Sequence, residues 1–179
     1  LLCAFSYKIF GMNIFDSLTH SMTTLATGGF SNYNDSIGYF NNTKIELTAI
    51  LFIILGSIPF IAYVKFISGN KKIFLSDAQI KTFLKLIVFS ILILFCYLFL
   101  NDNTFSLSNI RSISFNVVSI LTGTGYVTQE FDKWGGFPLF YFLILMFIGG
   151  CAGSTTCGVK IFRIQILYKF IVNQLKKII

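Results

Sequence analysis

Apolar positions in this chain gather into three long runs, not into the alternating or one-faced patterns of soluble strands and helices. The first, Glu46 to Ile67, is interrupted only by Gly56, Ser57, Pro59 and Lys65, and ends at the polar stretch Ser68-Gly69-Asn70-Lys71-Lys72. It predicts a membrane-spanning helix over 46–67, kinked near Pro59 because proline lacks an amide donor and crowds the preceding turn. Ile80 to Leu100 has 21 residues, and at roughly 31 Å of helical length it matches a bilayer's hydrocarbon thickness. The third run, Phe137 to Ile148, has only 12 residues before Gly149-Gly150-Cys151-Ala152-Gly153-Ser154-Thr155-Thr156-Cys157-Gly158 intervenes. A third crossing therefore needs the glycine-rich stretch inside the membrane, as a break in one helix over 137–172.

Two segments of another kind lie between these runs. Residues 14–25 and 110–121 are moderately apolar, rich in Ser and Thr, and about half a membrane long at helical rise. Both predict re-entrant pore helices. Each ends in small residues, Ala26-Thr27-Gly28-Gly29-Phe30-Ser31 and Thr122-Gly123-Thr124-Gly125-Tyr126-Val127-Thr128, and then returns towards a spanning helix. A shift of 96 residues pairs Asn13-Ile14 with Asn109-Ile110, His20 with Asn116, Gly29 with Gly125 and Phe30 with Tyr126, which marks a weak internal repeat.

Composition reinforces the membrane reading. Of 179 residues 55% are hydrophobic, 12% are charged and 22 are Phe, whereas soluble domains carry about a quarter charged residues. The fold class expected is an all-α integral membrane protein. The net charge of +7 does not point to nucleic acid, because the basic residues sit beside apolar runs and not among aromatic stacking platforms. Residues 65–85 and 159–179 hold ten Lys or Arg against Asp77 alone, whereas the remaining loops hold four basic residues against six acidic ones. The positive-inside rule places the first set in the cytoplasm and opens both re-entrant loops to the outside, where an acidic rim favours cations.

Non-helical backbone at membrane depth is tolerated only where protein buries it or where it lines a watery path. Glycine turns let carbonyls face one axis, and rings of carbonyls replace a potassium ion's hydration shell. Gly29 and Gly125, each followed by an aromatic residue, are the leading candidates for such turns, with backbone conformations or close approaches that a Cβ would obstruct. Other chemistry finds less support. Cys3, Cys96, Cys151 and Cys157 form no CxxC pair and His20 is the one histidine, so a zinc or transition-metal site and a disulfide framework are not expected. Gly153-x-x-x-x-Gly158 lacks the lysine of a phosphate-binding loop, with Val159 in its place. HExxH, GxSxG and paired carboxylates are missing from every span, so no enzyme is expected. Gly149-x-x-x-Gly153 also fits a helix-packing motif, but the further weak helix formers Ser154, Thr155, Thr156 and Gly158 favour unwinding. Lys160 reads as an interfacial anchor or as part of the ion path.

The phrases His20 to Ser31, Leu121 to Tyr126 and Gly149 to Lys160 resemble the Trk/Ktr/HKT superfamily of potassium transporters, with Cys151-Ala152-Gly153-Ser154-Thr155 nearest the TrkH branch. The resemblance covers essentially the whole chain. It implies four helix, pore-loop, helix repeats of the potassium-channel-like type around one ion path, of which this chain supplies two. Residues 1–70 would be a second repeat with a truncated outer helix, pore helix 14–25, filter 26–31 and transmembrane helix 46–67. Residues 71–179 would be a third, with transmembrane helix 80–100, pore helix 110–121, filter 122–128 and the broken helix 137–172. Thr27, Gly28, Gly29, Phe30, Thr122, Gly123, Thr124, Gly125 and Tyr126 would bind potassium, the transported ion, with no covalently bound cofactor. Gly149, Gly150, Cys151, Ala152, Gly153, Ser154, Thr155, Thr156, Cys157, Gly158 and Lys160 would form a gate loop, in which Cys157 stands where the family pattern has glycine. The resemblance further implies a multi-pass protein of the bacterial cytoplasmic membrane, a homodimer at full length, and a cytosolic nucleotide-binding regulatory subunit. A structural or assembly subunit without transport is the alternative.

Overall fold

The computed structural model describes residues 1–102 and 107–178. Residues 103–106 and 179, within the stretch assigned above to a third repeat, lie outside the described residues. Every regular element described is helical, apart from one isolated bridge between Ile148 and Val159.

The chain opens with α1, Leu2–Ile9, which buries Cys3, Ala4 and Tyr7 against α2, Ile14–Leu25. Asn13 starts α2 by accepting the Asp16 amide at 2.7 Å, which satisfies one of the amides a helix start leaves free. The 12 residues of α2 reach about 18 Å, half a bilayer. Asn42 caps α3, Thr43–Gly56, and also donates to the Phe10 carbonyl, fastening the end of α1 to the start of α3.

The expected span over 46–67 is two helices. α3 stops at Gly56, and α4, Phe60–Ile67, leaves at 85° to it. A proline kink alone is gentler. Here the Ser57 hydroxyl turns back onto the Ile53 carbonyl at 2.7 Å, Tyr63 donates to the Leu55 carbonyl at 2.6 Å, and the freed Phe60 amide donates to Gly153 far along the chain. These partners pay for the broken helical bonds and fix the corner.

After the short α5, Ile73–Ser76, Asp77 caps the longest helix, α6, Ala78–Asp102, whose Ala78–Asn101 stretch is long and apolar enough to cross a membrane by itself. α7, Leu107–Leu121, begins three residues ahead of the pore helix expected over 110–121. α8, Gly136–Phe147, is short and strongly apolar, and α9, Ile161–Ile178, follows the glycine-rich stretch. The helices pack as two triplets: α2 lies against α1 and α3, and α7 against α6 and α8. α3 joins the triplets by packing on α7, where Arg111 Nε meets Glu46 Oε2 at 2.8 Å and the guanidinium also reaches the Thr43 hydroxyl. α7 is the most enclosed helix, with Ile113, Phe115, Val117, Val118 and Leu121 all buried.

Candidate functional site

Both half-length helices end in the same backbone device. After α2, Thr27 (φ 50°) and Gly29 (φ 67°) are left-handed, with Gly28 between them outside that region. After α7, Gly123 (φ 72°) and Gly125 (φ 85°) are left-handed around Thr124. Alternating the hand of successive residues swings successive peptide groups to one side of the chain, as in backbone nests of opposite polarity. Among the described residues, the carbonyls of Thr27, Gly28, Gly29, Gly123, Thr124 and Gly125 accept no hydrogen bond. Thr27 and Thr124 are buried, Gly29 is half-buried and Gly28, Gly123 and Gly125 are open, so the two short turns present a cluster of accessible acceptors not used up by protein donors. The C-terminal ends of α2 and α7 abut it, and their partial negative charge favours a cation there.

The turns touch. A Cβ on Gly29 would stand 1.8 Å from the Thr124 carbonyl oxygen, so glycine is what lets the strands approach. Gly125 is different, since a Cβ there meets nothing within 4 Å. Gly123 is the crowded one of that pair, its Cβ position lying 2.9 Å from the Cys157 Cβ.

The two aromatic residues after the turns behave unlike each other. Tyr126 is fully buried and its hydroxyl reaches across to the other triplet, contacting Thr23 Oγ1 and the carbonyls of His20 (3.2 Å) and Phe30 (3.4 Å). Ser119 donates to the Tyr126 carbonyl at 2.7 Å, fixing the strand from its own helix. Phe30, the repeat-related residue, is 78% exposed. His20 is wholly buried, its ring nitrogens against the Asp16 carbonyl (2.9 Å) and the Ser31 hydroxyl (3.0 Å), so it braces the first turn from behind. Sequence reasoning missed the next layer. The buried Asp16 carboxylate accepts from Asn32 and from the Tyr33 hydroxyl, each at 2.8 Å. Burial pushes its pKa up, but these bonds, with the His20 charge and the Asn13 side chain, outweigh it and hold the group below the usual carboxylate range. A lone acid three residues after an Asn cap was the available signal.

The stretch from Gly149 to Gly158 is a closed loop. Gly149 N donates to the Val159 carbonyl and Val159 N to the Phe147 carbonyl, each at 2.9 Å, pinching its base. Its far side touches both turns. Thr155 Oγ1 lies 3.0 Å from the Leu25 carbonyl and 3.1 Å from that of Gly56, and Thr27 donates to it at 3.3 Å. Cys157 N donates to the Thr122 carbonyl at 3.3 Å. Cys151 N and Thr155 N bind the carbonyls of Ser57 and Gly56, and Gly153 accepts from Phe60, so the loop fills the corner between α3 and α4. Gly150 N and Ser154 converge on the Thr156 hydroxyl, and the Lys160 ammonium bonds Thr156 through both its carbonyl and, at 3.0 Å, its hydroxyl. A plain helix-packing stripe would not adopt this shape. No three His, Cys, Asp or Glu residues converge among the described residues.

Two half-length helices with carbonyl-presenting turns, flanked by longer helices and underlain by a loop that breaks a third, define the helix, re-entrant loop, helix class of membrane protein. The chain belongs to the TrkH family, described as cation transport proteins, whose profile matches residues 6–178. That is a family of transporters, not of enzymes. It is 37% identical over its whole length to the Trk system potassium uptake protein TrkI of Halomonas elongata, and 34% identical over 99% of its length to the Trk system potassium uptake protein TrkH of Escherichia coli K12. The crystal structure of the potassium transporter TrkH from Vibrio parahaemolyticus superimposes with a TM-score of 0.92 at 31% identity, over 99% of this chain and 39% of that one. The chain spans 36% and 37% of the two curated relatives.

Proposed function

We propose that this chain forms part of a potassium uptake pathway across a bacterial cytoplasmic membrane. In this reading residues 1–70 and 71–179 are two of the four pore repeats. Thr27 to Phe30 and Thr122 to Tyr126 are filter strands for potassium, the transported substrate. The loop Gly149 to Gly158, with Lys160, is the gate beneath them. The assembly would be a homodimer working with a cytosolic nucleotide-binding subunit, on the strength of family resemblance alone. One observation carries the reading: six neighbouring carbonyls without intramolecular donors, at the C-terminal ends of two pore helices. In a medium that penalises unpaired backbone, a partly dehydrated cation is the partner they suit.

The test is a chimera in which residues 1–179 replace the aligned stretch of the E. coli relative. It should restore growth of an uptake-deficient strain at low potassium and take up potassium in preference to sodium. Deleting part of Ala152 to Thr156 should raise flux with selectivity largely intact, because the carbonyl turns lie outside the deletion. A well-expressed chimera that neither rescues growth nor moves potassium refutes the proposal and leaves an assembly role.

A further inference from the structure

The gate loop is held by other backbone groups at most of its outside contacts, and two outside side chains reach it: the Thr27 hydroxyl, which donates to Thr155 at 3.3 Å, and Gln79. Gln79, in the first turn of α6, accepts the Ala152 amide through its side-chain oxygen at 3.0 Å. Ala152 N has no backbone partner among the described residues. The helix turn carrying Gln79 is itself tied to the helix that follows the loop, since Gln165 of α9 donates to the Ala78 carbonyl at 3.1 Å and to the Thr82 hydroxyl at 2.8 Å. Asp77 fixes the orientation of that turn by accepting the Gln79 amide at 2.8 Å. The cytoplasmic end of α6 thus grips the loop and the helix that leaves it, by side chains from both sides.

We infer that Gln79 is a positioning residue for the gate loop: its side-chain oxygen latches Ala152, and with the Gln165 tie it sets the loop's resting place beneath the carbonyl turns. The inference rests on the gate assignment proposed above, but the hydrogen bond itself can be tested without any ion flux. A side-chain latch suits this position. Breaking it costs one hydrogen bond and leaves the backbone framework of the loop intact, so the loop can shift without the span unfolding.

Cys157 is exposed and lies against Gly123, so its reaction with a water-soluble thiol reagent reports where the loop sits. The measurement is the labelling rate of Cys157 in membranes holding the protein, with Cys96, the other exposed cysteine, replaced by serine. Gln79→Leu, which keeps bulk and loses the acceptor, should raise the rate about fivefold, the effect of one net hydrogen bond. Gln79→Glu keeps an acceptor oxygen and should label at the parent rate. If Gln79→Leu fails to accumulate, Gln79→Met makes the same comparison. Parent-rate labelling in the variants lacking the acceptor overturns the inference, and so does an equal rise in Gln79→Glu, which would mark a packing effect. In the chimera the acceptor-lacking variant should also raise potassium flux at an unchanged potassium-to-sodium ratio. Faster labelling without any flux in variant or parent would uphold the latch and count against the transport reading.

Discussion

Alanine at position 29 separates the close approach of the two turns from the mere need for left-handed backbone. Gly29 has φ 67°, which costs an L-residue about 1–2 kcal/mol. Its Cβ would also stand 1.8 Å from the oxygen and 2.8 Å from the carbon of the Thr124 carbonyl. Ordinary carbon–oxygen contact needs about 3.2 Å, so the turns must part by about 1.4 Å. The obstacle is backbone, and no rotamer change relieves it. Gly125 has φ 85° and open space around its Cβ position, so alanine there bears the left-handed cost alone. Gly29→Ala should therefore damage ion discrimination far more than Gly125→Ala. A loss of about 1.4 kcal/mol in preference lowers the potassium-to-sodium uptake ratio tenfold, and a displacement this large among coordinating carbonyls should cost at least that. The assay is paired potassium and sodium uptake by the chimera, normalised to protein in the membrane. An unchanged ratio in Gly29→Ala at normal abundance, or a worse ratio in Gly125→Ala, refutes the reasoning.

Removing the Tyr126 hydroxyl (Tyr126→Phe) deprives the Phe30 and His20 carbonyls and Thr23 of a shared partner; thermal stability should fall by about 1–2 kcal/mol, with selectivity lowered more than total flux. Arg111→Ala leaves the buried Glu46 carboxylate without its cation, and should destabilise the protein by about 3 kcal/mol, partly recovered by adding Glu46→Gln. Thr155→Val removes the hydroxyl between the Leu25 and Gly56 carbonyls and should speed Cys157 labelling. Asp16, with its pKa depressed, stabilises the outer loop fully above the unfolded carboxylate value, about 3.9, and loses that contribution as pH falls through the lower folded value. Amide protection over residues 31–40, taken relative to the intrinsic exchange rate at each pH, should therefore hold at about pH 5 and fall only in stronger acid, whereas Asp16→Asn should show low protection already at neutral pH and little further change.

The sequence exposed features that act over a few consecutive residues. Run lengths located α6, the half-length α2 and α7, and the interruption after α8, since length and hydropathy decide whether a segment can cross a bilayer. The glycine pairs marked the turns because left-handed backbone is a local demand. The 85° corner at Ser57 to Pro59 was legible only as a kink, because its sharpness depends on Gly153 and Thr155, about a hundred residues away. The opposite fates of Tyr126 and Phe30 were also hidden. Their local sequences are alike, and only packing between triplets buries one and leaves the other open. Glu46 with Arg111, and Gln79 with Ala152, are partners joined by tertiary approach, and neither residue of either pair carries a local signal for the other.

The central claim is that the free carbonyls of Thr27, Gly28, Gly29, Gly123, Thr124 and Gly125 hold the transported cation. Rubidium, which substitutes for potassium and scatters anomalously, tests it directly in crystals of the chimera. An anomalous peak bounded by these carbonyls, displaced by potassium and not by sodium, is the result expected. Ordered rubidium elsewhere in the membrane region, with these carbonyls bonded to protein donors or to water alone, would contradict the account.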